Sequence, residues 1–132
     1  MENGSYAYVR DGRTYAGGMF GGDIVEAVRG DPKAEEFARA YKNGVTVGLV
    51  LAYLGAAAAF AGLAVAASDE VQHTGGGAPP PTGVIILGSG LLVELVGAVI
   101  GLNAVPHLYD AINTYNDDVE PASSAAAAPV AR

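Results

Sequence analysis

The sequence predicts an all-α integral membrane protein built on an antiparallel two-helix transmembrane hairpin. Apolar residues make up 51% of the 132 residues and charged residues only 16%, which is little charge for a soluble domain of this size. The apolar residues are concentrated in two blocks, 44–67 and 83–105. As helices rising about 1.5 Å per residue, both blocks can cross a hydrocarbon core of about 30 Å. The short segment 68–82 between them forces the two helices to run antiparallel.

Composition also excludes several classes of function. The chain has no cysteine, which removes disulfides, thiolate metal sites and cysteine nucleophiles. A net charge of -7 argues against a nucleic-acid partner, because phosphate binding needs a clustered basic excess. Residues 1–12 show no apolar signal-peptide core, so we expect the first apolar block to act as the insertion signal.

The N-terminal segment, residues 1–43, begins with a predicted β-hairpin over residues 6–15. Asp11 and Gly12 suit a type I′ turn, in which both central residues need positive φ. An isolated hairpin is marginally stable in water, so we expect it to need support from another element. The glycine-rich stretch 17–22 lacks the Gly-Lys-Ser/Thr of a phosphate-binding loop and is interpreted as a plain flexible connector.

Two short helices are predicted next, over 23–29 and 32–43. Gly30 is a stop signal for the first, while Asp31 and Pro32 suit the N-cap and first position of the second. The second helix has one apolar face and a potential Glu35–Arg39 pair on the other. We expect this helix to continue into the first membrane span.

The first span carries small residues at alternating steps of four and three, which place them on one helix face. In lipid, small residues at this spacing let two helix backbones approach closely. The alternative is that an alanine-rich span produces the pattern by chance. The stripe consists of Gly48, Ala52, Gly55, Ala59, Gly62 and Ala66.

The second span carries a stripe of the same period, with Gly90, Gly97 and Gly101 among its members and one carboxylate, Glu94, near its middle. An ionised carboxylate at mid-bilayer costs about 2.5 to 3.5 kcal/mol on insertion scales, which the surrounding Leu, Ile and Val residues offset. In the predicted hairpin Glu94 lies at the depth of Gly55. We therefore expect it to be buried in a helix contact with Tyr53 as a hydrogen-bond partner.

Charge sets the expected orientation. The segment 68–82 is predicted to be an external Gly/Pro-rich loop, and it has no Lys or Arg. The positive-inside rule places the N-terminus and C-terminus in the cytoplasm of a bacterium, with the chain in its inner membrane. Six of the seven cationic residues precede the first span: Arg10, Arg13, Arg29, Lys33, Arg39 and Lys42.

Beyond the second span, the 3.6-residue periodicity predicts a juxtamembrane helix over 106–116, kinked or restarted at Pro106. Residues 117–132 are acidic and then Ala/Ser/Pro-rich, which predicts a disordered tail. A polar stripe near the membrane surface offers only two plausible metal ligands, so no metal or other cofactor is predicted. The candidate juxtamembrane residues are Asn103, His107, Asp110, Tyr115 and Asn116.

These features resemble a large group of uncharacterised small bacterial membrane proteins. In that group a Tyr/Gly-containing segment and a helix starting at Asn/Asp-Pro precede a two-span hairpin and a motif Ala-Val/Ile-x-x-Tyr-Asn. The resemblance implies two membrane helices and supplies no activity. The matching residues are Tyr8, Gly12, Asp31, Pro32, Ala34, Ala111, Ile112, Tyr115 and Asn116.

A glycine-striped hairpin with a mid-span acid also looks like the proton-carrying ring subunit of rotary ATPases. Those hairpins are shorter and have a polar cytoplasmic loop, unlike the segment 68–82 here. No serine-histidine-acid set can be assembled on one side, so we predict no enzyme. The predicted function is a structural or adaptor subunit that associates with itself or with other membrane proteins in the lipid bilayer. The alternative is an ion- or proton-conducting oligomer that uses Glu94.

Overall fold

The computed structural model describes residues 7–18, 20–72 and 82–126, and it is mostly helical. Its elements are β1 (Ala7–Arg10), β2 (Arg13–Ala16), α1 (Ile24–Ala27), α2 (Pro32–Gln72) and α3 (Thr82–Ala126). The chain divides into two compact units. We call Met1–Val45 with Asn103–Arg132 the terminal unit, and Thr46–Leu102 the apolar unit. Most of the predicted external loop and the last six residues of the predicted tail lie outside the described residues.

The predicted β-hairpin is present. β1 pairs antiparallel with β2, and Arg10 faces Arg13 across the turn. Asp11 and Gly12 have φ of 49° and 73°, the left-handed values that a type I′ turn requires. Tyr6, the predicted first residue, lies outside the described residues.

The glycine-rich stretch is a hydrogen-bonded turn and not the plain connector that its composition predicts. The Gly21 amide donates to the Gly18 carbonyl at 2.9 Å, and the Asp23 amide donates to Ala16 at 2.9 Å. Gly22 has φ of 53°, and a Cβ there would lie 2.8 Å from the Gly18 nitrogen. Because the backbone doubles back on itself at Gly22, only glycine fits this position.

The next helices differ from the predicted bounds. α1 covers four residues, shorter than 23–29, and a positive φ of 104° at Gly30 follows it. α2 runs from Pro32 through residue 72, so the helix predicted over 32–43 and the first span are one element, as expected. It also extends past the predicted end of the span at residue 67.

The helix α3 continues through Pro106 to Ala126. Proline removes one backbone hydrogen bond, but Ala104 and Ala111 on either side of it are both buried in the same core, which holds the helix together. Of the two predicted alternatives, a kinked or a restarted helix, the restart is therefore wrong. The disordered tail predicted from residue 117 is also wrong as far as Ala126, because α3 continues to that residue.

The two units bury different kinds of side chain. The terminal unit has an ordinary hydrophobic core, to which α1, the residue that follows it, α2 and α3 contribute. Its buried residues include Ile24, Val28, Ala38, Tyr41 and Ala111. In the apolar unit, α2 and α3 pack against each other as a helical hairpin. Among its described residues 46–68 and 82–102, those that are buried are all glycine or alanine: Gly48, Gly55, Ala59, Gly62, Gly83, Gly90 and Gly97.

Candidate functional site

Backbone contact between α2 and α3 organises the apolar unit. A Cβ atom on Gly48 would lie 2.7 Å from the nitrogen of Gly101, and one on Gly97 would lie 2.6 Å from the nitrogen of Ala52. Atoms this close leave no space for a side chain. The helices can therefore reach this separation only because these positions carry hydrogen in place of a Cβ.

The close contacts follow one antiparallel register through the whole unit. A step of three or four residues along α2 is matched by an equal step backwards along α3. All nine residues predicted for the helix interface take part. The contacting pairs are Gly48 with Gly101, Ala52 with Gly97, Gly55 with Glu94, Ala59 with Gly90, Gly62 with Leu87, and Ala66 with Gly83.

Glu94 occupies the middle of this register. Its backbone lies against Gly55, where a Cβ on Gly55 would come within 2.8 Å of the Glu94 Cα. Its side chain is half-buried, and it is the only Asp, Glu, Lys, Arg or His in residues 46–68 and 82–102.

Beside Glu94 the two helices form a lateral cavity of about 270 Å³, which we call the Glu94 groove. Every other residue of its lining is apolar, so no other side chain there can donate a hydrogen bond to the carboxylate. The lining consists of Ala56, Ala59, Phe60, Leu63, Leu87, Leu91 and Glu94.

Tyr53 does not occupy the buried position predicted for it, since its side chain is 62% exposed. The predicted contact with Glu94 follows only from the similar heights of the two residues along the hairpin. Tyr53 precedes Gly55 by two residues, which rotates it about 200° around the helix and away from the small-residue face. Its hydrogen bond with Glu94 stays a prediction.

In the terminal unit, Arg10 joins three elements. Its Nη1 donates to the carbonyl oxygens of Ala27 at 3.4 Å and Arg29 at 2.5 Å, which ties β1 to the end of α1 and the segment after it. Its guanidinium carbon also lies 4.9 Å from the ring centroid of Tyr115 in α3, at the distance of a cation–π contact. An ion pair with Asp11 at 3.4 Å completes its surroundings.

A cavity of about 290 Å³ lies next to Arg10, and we call it the terminal groove. Residues of β1, of α1 with the residue after it, and of α3 form its walls. It has both apolar and polar lining, as a site for a protein side chain or small molecule usually has. Its lining residues are Ala7, Tyr8, Val9, Arg10, Ile24, Ala27, Val28, Ile112, Tyr115 and Asn116.

The structure divides the predicted juxtamembrane residues. Tyr115 and Asn116 line the terminal groove, whereas His107 stacks on Phe37 of α2 with ring centroids 6.2 Å apart. The His107 Nδ1 lies 3.9 Å from an Asp110 carboxylate oxygen, and Asn103 is exposed. Within residues 7–18, 20–72 and 82–126, no three His, Cys, Asp or Glu side chains form a group that could hold a metal ion.

The start of α2 is fixed by two carboxylates. Asp31 Oδ1 accepts hydrogen bonds from the amides of Lys33 at 2.9 Å and Ala34 at 3.2 Å, as an N-cap residue does. Glu35 accepts from the Gly30 amide at 3.0 Å and pairs with Arg39 at 3.3 Å. The Gly30 amide, followed by the Arg39 hydrogen bond, lowers the pKa of Glu35 below its usual value.

The sequence predicts no role for Arg10 beyond that of one among six cations before the first span. The contacts of Arg10 reach residues 17, 19 and 105 positions away, and no local pattern encodes such contacts. The Phe37–His107 stacking is not predicted either, for the same reason. No protein-family model matches the chain, and comparison with curated proteins and with solved structures finds no match either.

Proposed function

We propose that the chain is a membrane-embedded structural or adaptor subunit, with the apolar unit in the bilayer and the terminal unit as its docking part. The observation that carries this proposal is the reversed distribution of side chains in the apolar unit. Its described core is glycine and alanine, while its large apolar side chains point outwards. Phe60 is 72% exposed and Leu92 is 65% exposed.

A water-soluble helical hairpin would bury such side chains, because burial of apolar surface is what holds it together. The most apolar windows of the two helices have mean hydropathies of 2.2 and 2.3, yet only 17% of each is buried. A hydrocarbon solvent accounts for both facts. It covers large outward side chains and leaves close backbone packing to hold the helices together.

The proposed orientation rests on charge. Arg10, Arg29 and Lys42 are among six cationic residues that precede the first apolar block, while the segment between the blocks has none. The positive-inside rule then places the terminal unit in the cytoplasm and the segment 73–81 outside, in a bacterial inner membrane.

Membrane fractionation and thiol labelling test this arrangement. The protein should stay in the membrane fraction after washing with alkaline carbonate. Because the chain has no natural cysteine, Gly76→Cys and Ser124→Cys each introduce a unique thiol. An impermeant thiol reagent on intact cells should label only the Gly76→Cys protein, with Ser124→Cys reacting after lysis. Release by carbonate would refute membrane insertion, and the opposite labelling pattern would refute the orientation.

The adaptor role is assigned to the terminal groove. Val9 lines it and is 72% exposed, so it is accessible to a partner. Thr14 faces Val9 across the hairpin and is also exposed, but it lies outside the groove lining. This pair provides a matched comparison on one small sheet.

A photo-crosslinking amino acid placed at Val9 in cells of the source organism should give a discrete adduct with another protein. The same photo-crosslinking amino acid placed at Thr14 should give much less of this adduct. Equal adducts at both positions, or none at Val9, would contradict a docking role for the groove.

A second candidate function, proton conduction by an oligomer, is favoured by one observation. Glu94 is half-buried at the centre of the helix contact. An ionisable side chain inside a membrane span is costly, and such residues often mark ion or proton pathways. Reconstituted wild-type protein should then conduct protons and the Glu94→Gln variant should not. Equal proton flux in both would exclude conduction through Glu94.

A further inference from the structure

The Glu94 groove combines one carboxylate with a wholly apolar lining. At about 270 Å³ it falls just under the usual range of small-ligand cavities, about 300 to 1,000 Å³. It has room for one or two rings or a short branched chain. Phe60, on the rim, offers an aromatic face.

An ionised carboxylate in such surroundings is stabilised by a compensating positive charge. Residues 46–68 and 82–102 contain no Lys, Arg or His, so the part of the apolar unit that surrounds Glu94 does not supply one. The same residues of a second copy would not supply one either. A lipid acyl chain would cover the apolar lining while leaving the carboxylate without a counter-ion. Charge complementarity therefore calls for a cation from outside this unit.

The lining sets the other properties of that cation. Leu63, Leu87 and Leu91 favour a ligand that brings apolar surface, and a strongly hydrated ion would lose its water there without replacement. Phe60 favours a cation whose charge can approach an aromatic ring. These properties describe an organic cation with its charge shielded by aromatic or alkyl groups.

We propose that the Glu94 groove binds lipophilic organic cations, with Glu94 as the counter-ion and Phe60 as the aromatic contact. This inference rests on the proposed membrane insertion of the apolar unit and adds a ligand class to it. The Glu94 groove is open at its side, between the two helices, because Phe60 and Leu91 are both more than half exposed.

The test uses the full chain in phosphatidylcholine nanodiscs with radiolabelled benzyltriethylammonium, an organic cation with one aromatic ring, as the probe. Equilibrium dialysis should show saturable binding above that of empty nanodiscs. Choline, which has the charge without the apolar groups, should compete poorly. Glu94→Gln should weaken binding by about tenfold or more, because it removes the counter-ion in a low-dielectric site. Glu94→Asp should retain part of the affinity, and Phe60→Ala should lower it several-fold.

Leu95→Ala is the matched control. Leu95 neighbours Glu94 in sequence and is 60% exposed, but it does not line the groove. Its substitution should leave the affinity unchanged. Absence of saturable binding, equal affinity of Glu94→Gln, or equal weakening by Leu95→Ala would each overturn the proposal. The proposal would also be overturned if the wild-type protein is an oligomer and the Glu94→Gln variant, which does not bind the probe, is not. In that case the groove would hold a second copy of the chain.

Carbonate washing of each variant separates this proposal from the one on which it rests. If the wild-type protein is released from membranes, membrane insertion itself fails. If the protein stays in the membrane and does not bind the probe, only the cation site fails.

Discussion

Gly55 of α2 lies directly against the backbone of Glu94 in α3, and a Cβ on Gly55 would also come within 2.6 Å of the Gly90 carbonyl oxygen. Gly55→Ala should therefore push the helices apart. Overpacking of this kind costs about 1 to 3 kcal/mol. The expected result is a lower midpoint temperature for aggregation of the detergent-solubilised protein. The midpoint is measured by size-exclusion chromatography of heated samples.

Gly88→Ala is the control for this experiment, because a Cβ on Gly88 meets nothing within 4 Å. Alanine in place of glycine in a helix adds up to about 1 kcal/mol of helix stability, so this variant should be as stable as the wild type or more stable. If Gly55→Ala and Gly88→Ala behave alike, close backbone contact does not hold the hairpin together.

The small-residue stripes show how far sequence alone reaches. A period alternating between four and three residues fixes which helix face is involved, and two stripes of equal period can meet only in a few antiparallel registers. A hairpin that pivots near residue 75 then predicts Gly55 and Glu94 at one depth. It misplaces Tyr53, because depth along a helix says nothing about the angle around it.

Other features could not be predicted from one sequence. Arg10 acts through carbonyl groups of Ala27 and Arg29, and any residue type presents a carbonyl group. The continuation of α3 past Pro106 depends on burial of Ala104 and Ala111, which is a tertiary effect. In both cases the decisive interaction is distant in sequence or independent of side-chain type.

Arg10→Ala should destabilise the terminal unit. It removes hydrogen bonds to two carbonyl groups and the contact with the Tyr115 ring, and a hydrogen bond from a charged group contributes about 1.5 to 3 kcal/mol. We expect a loss of about 2 kcal/mol, seen as faster hydrogen exchange in β1 and around Arg29. Arg10→Lys should recover only part of it, because a single ammonium cannot reproduce the planar donor group.

Arg13→Ala provides the comparison for Arg10. Arg13 pairs with Arg10 across the turn and is exposed, and an exposed surface substitution usually changes stability by less than about 0.5 kcal/mol. Equal exchange rates in the two alanine variants would show that Arg10 does not join the elements of the terminal unit.

Asp31→Ala should loosen the start of α2. The substitution leaves the amides of Lys33 and Ala34 without their acceptor, at a cost of about 1 kcal/mol. Hydrogen exchange of a peptide spanning residues 31–36 should accelerate. Asp31→Asn keeps an acceptor oxygen and should stay close to the wild type, whereas equal acceleration in both variants would contradict the capping role.

Acid should weaken the same helix start through Glu35. The Gly30 amide and then the Arg39 side chain hold the pKa of this carboxylate below its ordinary value of 4.5. Because the pKa is lowered by folding, the stabilisation is fully present above pH 4.5 and is lost as the pH falls through the lowered pKa. The difference in hydrogen exchange at Gly30 between the wild type and Glu35→Gln should be largest at neutral pH and should shrink in acid. A difference that stays constant across this range would mean that ionisation of Glu35 does not stabilise the helix start.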